Sequence, residues 1–290
     1  MSAIVKLEVC IDTLVAAEAA KRGGASRLEV CAALSEGGIT PSIGFIKQMP
    51  KGIEKRVIIR PRCGDFCYSD LEIDVMVADM EVARDWCVCD GFVFGVLTPD
   101  GEVDVPKLKT VQTWFDCVWK LADSKGKVTF IRSIDVAKDP LKTLDTLIEL
   151  GVDTVLTSGA EPSAPAGAKL IAEMVRRAKG RITVMAGAGI NAENARELVL
   201  STGVKWIHGS CRSVCDGPMR FRKEGIYMGA PPPTVPTEEK VAGKRKRELE
   251  HPVDAQTAKT LPFDPEFMFK VADSELIKKI IENANAGPSS

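Results

Sequence analysis

The chain has 290 residues, 45% of them hydrophobic and 27% charged, a balance that excludes whole-chain disorder and a collagen-like fibre. Thirty-nine Lys and Arg stand against forty Asp and Glu, a formal charge of −1. That leaves no strong field to draw nucleic acid or an acidic membrane, and neither is expected as a partner. No stretch reaches the roughly 18 apolar residues that a membrane span needs. The start lacks the basic-then-apolar pattern of a secretory signal. Nine cysteines at irregular spacing read as reduced thiols of a cytoplasmic protein and not as a disulfide framework.

Short β-rich runs alternate with longer helical patterns. The predicted strands are 6–10, 27–31, 56–60, 91–95, 127–131, 154–158, 181–186 and 205–209. Helical patterning falls on 13–22, 70–86, 105–121, 140–150, 165–179 and 192–201. Eight β-then-α units predict an α/β fold, a (β/α)8 TIM-type barrel. The rival, a doubly wound sheet, lacks its signature, because no Gly-x-Gly-x-x-Gly follows the first strand. The barrel is expected to occupy residues 1–229. Residues 230–262 hold six of the seventeen prolines and eleven charges, the composition of a flexible linker. Residues 263–290 regain apolar periodicity and are expected to form an amphipathic helix docked on the barrel, followed by a tail. Within the linker, Lys244-Arg-Lys-Arg247 has the composition of a nuclear-import signal, although a solvated charge run balanced by Glu248 and Glu250 is the plainer reading.

The first two strands nearly repeat, as Lys6-Leu-Glu-Val-Cys10 and Arg27-Leu-Glu-Val-Cys31. Strand side chains alternate, so Leu7, Val9, Leu28 and Val30 face the helices while Lys6, Glu8, Cys10, Arg27, Glu29 and Cys31 face the barrel axis. Buried carboxylates need partners, and Arg60 at the end of the third strand is expected to pair with Glu8 or Glu29. Cys10 and Cys31 fall at strand C-termini, where such barrels place functional groups. If the two strands lie in register, the thiols are close enough to hold a soft monovalent metal such as Cu(I). Space-filling cysteine is the competing reading. Only two histidines exist, His208 and His251, which weakens a mechanism built on imidazole.

Several loops suit an anion. Arg62 follows the third strand, and glycines 187 and 189, with Gly209 and Ser210, follow the last two strands, where barrels often bind phosphate. Tight turning alone also accounts for those glycines. Arg132 and Asp135, after the fifth strand, are candidates for electrostatic and acid–base roles or for a loop-shaping salt bridge. A (β/α)8 enzyme acting on a small phosphorylated or carboxylated metabolite is therefore the alternative reading.

Taken together, Leu7-Glu-Val-Cys10, Arg27-Leu-Glu-Val-Cys31, Ser35-Glu-Gly-Gly-Ile-Thr-Pro-Ser42, Ile59-Arg-Pro-Arg-Cys-Gly-Asp-Phe-Cys-Tyr-Ser-Asp70, Leu156-Thr-Ser-Gly159, Met185-Ala-Gly-Ala-Gly-Ile190 and Met219-Arg-Phe-Arg222 make the chain resemble the CutC copper-homeostasis family from about Lys6 to Gly229. The resemblance implies a cytosolic barrel that handles copper, with Cu(I) on the cysteines matching Cys10 and Cys31. It also implies a homo-oligomer, dimer or tetramer, and supplies no defined reaction. Two departures stand out. Ile131, Ser133 and Ile134 replace the family's His, Ala and Phe after the fifth strand, and Cys63 replaces a Gly. If the family His is a copper ligand, this chain keeps only the two cysteines from that set.

Overall fold

The computed structural model describes residues 4–86, 89–111, 127–221, 223 and 268–286. Eight strands close into a parallel barrel in chain order: β1 (Lys6–Ile11), β2 (Arg27–Val30), β3 (Glu54–Ile58), β4 (Gly91–Phe94), β5 (Lys127–Phe130), β6 (Thr154–Thr157), β7 (Thr183–Gly187) and β8 (Trp206–Gly209). Each falls on a predicted strand. The helices around them are α1 (Leu14–Arg22), α2 (Ile43–Lys47), α3 (Asp70–Trp86), α4 (Pro140–Glu149), α5 (Ala168–Ala178), α6 (Ala195–Thr202) and α7 (Ser274–Asn285). Helix patterning at 105–121 is met by helix over 105–111, and the remainder lies outside the described residues.

Local chemistry sets the boundaries. Thr13, Ser42, Asp139 and Asp273 each accept a backbone N–H in the first turn of the helix they precede, and Pro140 stands where its missing N–H costs nothing. The core is the shell between strands and helices: Leu7, Val9, Leu28, Val30, Val57, Phe92 and Phe94 are buried there.

The chain divides into two compact units. Residues 1–212 with 272–290 form the barrel unit, and residues 213–271 the other. In the second unit, the described elements are β9 (Arg212–Asp216) and β10 (Met268–Ala272), paired as a two-stranded sheet. Within 263–290, expected as an amphipathic helix and tail, the chain is extended over 268–272 and helical from Ser274; Phe269-Lys-Val-Ala272 alternates apolar and polar residues at its start, as a strand does. The expected linker, 230–262, with its basic cluster, lies outside the described residues. Helix α7 belongs to the barrel unit and buries Ile277, Ile280 and Ala284. Its Asn285 side chain accepts from the Val5 N–H at 2.7 Å and donates to the Val5 carbonyl at 3.1 Å, closing the start of β1.

Candidate metal centre at the barrel mouth

The barrel axis carries charge, as the alternation in β1 and β2 predicts. Deep in the axis, Arg27 pairs with Glu8, lies 4.2 Å over the Trp206 ring and places Nη1 3.5 Å from Glu54. Arg56 shares Glu54 and donates to Thr129 and, at 3.2 Å, to Thr154. All of these except Glu54 and Trp206 are nearly inaccessible, so each charge is held by a partner and not by water.

Register determines which groups share a level. In β1 and β2, Glu8 stands beside Arg27 and Cys10 beside Glu29. Closing a barrel staggers its strands, so the repeated motifs do not align residue for residue. Cys31 lies two positions past Glu29, beyond the level of Cys10. The in-register pair of thiols expected from the repeat is therefore not formed by the ladder. On the other side of β1, Glu8 pairs in register with His208 of β8.

The result is a compact group of Cys10, Glu29 and His208, all buried, with one ligand atom from each within 4.8 Å of the others. His208 Nδ1 is 2.8 Å from Glu8 Oε1, and its Nε2 is 3.8 Å from Glu29 Oε2. Glu8 thus fixes the ring and turns Nε2 towards the mouth. Cys31 donates its thiol proton to Glu29 Oε2 at 3.4 Å. Glu29 Oε1 is buried and, among the described residues, without a hydrogen-bond partner.

The electrostatics follow from this packing. Burial pushes the Glu8 carboxyl up, but Arg27, His208 and Arg56 outweigh it and hold the group down at about 2. Burial raises Glu29: the pull of His208, the Cys31 hydrogen bond and Arg27 does not offset burial and the nearby Glu8 charge. Burial would lower His208, yet Cys10, Glu29 and Glu8 overcome it and raise the imidazole well above its ordinary value. Burial, then the charge of Glu29 and the proximity of Cys10, push the Cys31 thiol well up. Cys211, just after β8, is pushed up to about 12 by burial and by Cys10.

The other expected residues are dispersed. Arg60 does not pair with Glu8 or Glu29. It donates to the carbonyls of Glu36, Gly38 and Gly64 at 2.7–3.0 Å, bracing the loops after β2 and β3. Arg27 takes the role expected of it because Arg27 is the neighbour of Glu8 in the ladder. Arg62 is committed to Glu72, Asp65 and the Cys67 carbonyl. Cys63 is exposed. Arg132 bonds Asp135 at 2.8 Å, and Asp135 also accepts from Thr157 and from the Ser158 and Ala160 amides, so this carboxylate shapes the loop after β6. Gly187 makes room: a Cβ there would lie 2.7 Å from Leu156 and 3.3 Å from His208. Gly189, Gly209 and Ser210 line the cavity at the mouth.

His208 is the residue that the sequence reading passed over. Its signal was present: it stands in the eighth strand, flanked by Ile207 and Gly209, on the face that alternation directs to the axis. Ile131 packs against Cys10, Cys31, Ile58 and Val93. The imidazole at this centre is that of His208 on β8.

These features define a class: a closed (β/α)8 barrel whose C-terminal mouth gathers a thiol, a carboxylate and an imidazole that could hold a metal ion. The CutC family model matches residues 5–213, and the chain belongs to that family. It is 43% identical over 227 residues to the human copper homeostasis protein cutC homolog, covering 77% of this chain and 80% of the human one. A CutC family protein of Parabacteroides distasonis is 41% identical over 227 residues, covering 77% of this chain and 90% of its own. The crystal structure of a CutC from Streptococcus agalactiae superposes with a TM-score of 0.65 at 32% identity, covering 71% of this chain and 98% of the other. Among the described residues, no helix is long and apolar enough to cross a membrane.

Proposed function

We propose that this protein binds Cu(I) at the barrel mouth and serves copper homeostasis as an intracellular buffer or carrier. Cys10 and His208 Nε2 are the first donors, and Cys31 is the second thiol, completing the two-cysteine site. The observation that carries this reading is the convergence of Cys10, Glu29 and His208 within 4.8 Å, with Cys31 hydrogen-bonded to the same Glu29. Thiolate and imidazole are donors suited to Cu(I), whereas a lone carboxylate suits harder ions. Glu29 then acts on protons and not on the metal: it already accepts the Cys31 proton, and a thiolate forms as that proton leaves. Binding releases protons from the thiols and from His208, so affinity falls as the pH is lowered.

The test is an anaerobic Cu(I) titration against a competing chelator, in the natural protein and in C10S, C31S and H208N. One tight equivalent is expected for the natural chain. C10S and H208N should each lose at least tenfold in affinity, and C31S should lose the tightest phase. Unchanged affinity in both C10S and H208N would refute the site. The family resemblance also supports a cytoplasmic homo-oligomer, which light scattering on the purified protein would test.

A further inference from the structure

Above the metal centre lies a cavity of about 660 Å³, a volume ample for a small organic molecule. A bare copper ion would occupy little of it. The walls carry polar groups that the barrel leaves unmatched. Glu29 is 5% exposed, and its Oε1 has no hydrogen-bond partner. Arg60 is 6% exposed, and its Nε is likewise buried and unpartnered. Native proteins rarely leave such atoms alone, because an unmet buried donor or acceptor forfeits its hydration without a replacement. Both residues line one cavity, and their orphan atoms lie just beneath its wall, where a small shift of either side chain brings them to a ligand.

Arg132 lines it too. Its Nε and Nη2 are fixed on Asp135 and Ser158, both at 2.8 Å, which sets the guanidinium plane. Nη1 has no hydrogen-bond partner among the described residues, so a positioned cationic donor remains. Leu276 and Ile280 of α7 supply an apolar part of the wall. Both lie outside residues 5–213, which the family model matches.

We infer that the cavity is a binding site for a small hydroxylated organic anion, a carboxylate or phosphate carrying a neighbouring hydroxyl. The anionic end meets Arg132 and Arg60, the hydroxyl meets Glu29, and the carbon skeleton rests on Leu276 and Ile280. A hydroxyl both donates and accepts, so it satisfies Glu29 whether or not that carboxyl carries a proton. Guanidinium forks recognise carboxylate and phosphate alike. The inference does not rest on copper binding, since Arg60, Arg132 and the α7 side chains are not copper donors.

Calorimetry and thermal melting of the full chain without copper test it, with glycerate and glycerol 3-phosphate as probes, acetate as the probe lacking a hydroxyl, and sodium chloride at matched ionic strength. One or both hydroxylated probes should bind saturably and raise Tm beyond the salt control, and acetate should bind more weakly. R132Q should weaken binding at least tenfold, and E29L should abolish the preference over acetate. C10S should bind the anion as the natural chain does while failing the copper titration, which separates the two readings. If R132Q does not fold, R132K keeps the charge beside Asp135 and loses the fork, and it should weaken binding similarly. No saturable binding of either hydroxylated probe, or full affinity in the folded arginine variant, would overturn the inference.

Discussion

Glu8 is the residue on which the mouth depends, although it is not among the proposed copper donors. It stands between Arg27 and His208, accepting from both within the barrel axis. Substituting E8Q leaves buried Arg27 with only its longer 3.5 Å contact to Glu54 and loosens the hold on the His208 ring. Breaking a buried pair in this way costs about 3–5 kcal/mol. The pH dependence has a definite sign. Glu8 is held at about 2 in the folded protein against an ordinary 4.5, so its contribution is present above the ordinary value and lost as the pH falls towards 2. Denaturant unfolding of the copper-free protein should show E8Q less stable at pH 7, with the gap to the natural chain narrowing between pH 5 and pH 2. A gap that is constant over that range would mean that Glu8 carries no depressed ionisation.

At the scale of the element, β7 and β8 govern where the imidazole sits. Gly187 stands in register with His208, and the absence of a side chain there is what lets Leu156 and His208 occupy the same level. G187A should destabilise the fold by about 1–3 kcal/mol through overpacking. It should also weaken copper binding, because relieving the contact displaces the His208 ring from the position it holds beside Cys10 and Glu29. Melting and chelator competition on the one variant read both effects; stability lost with copper affinity intact would show that the ring does not move. The elements themselves were legible in the sequence. Alternation of Glu8, Cys10, Arg27, Glu29 and Cys31 identified the axial face of β1 and β2 correctly. Register was not legible. A repeated motif suggests level pairing, whereas barrel closure staggers β2 against β1 and puts Glu29, not Cys31, beside Cys10. For the same reason the arginine paired with Glu8 is Arg27 and not Arg60: a pairing across neighbouring strands depends on stagger, which one strand's pattern does not carry. His208 became visible only with closure, since β8 meets β1 through a contact two hundred residues apart in sequence.

For the barrel unit as a whole, the count of eight β-then-α segments predicted the closed architecture because each unit obeys local rules of alternation and capping. The C-terminal addition followed a different rule: its apolar periodicity marked α7, while its meeting with α1 is a tertiary fact. A Cβ on Gly23 at the end of α1 would stand 2.7 Å from Ile277, so the two elements approach to backbone distance. Ile277 is fully buried in that contact. I277A should cost about 2–5 kcal/mol. Since α7 supplies Leu276 and Ile280 to the cavity and no copper donor, I277A should leave Cu(I) affinity nearly unchanged in the folded protein, and an equal loss of both would place α7 within the metal centre. If Cu(I) is held on sulfur and imidazole at this mouth, X-ray absorption of the full chain loaded with one equivalent of Cu(I) should show mixed sulfur and nitrogen ligation. The imidazole scattering should be lost in H208N and the sulfur contribution reduced in C10S; identical spectra from all three proteins would refute the proposed site.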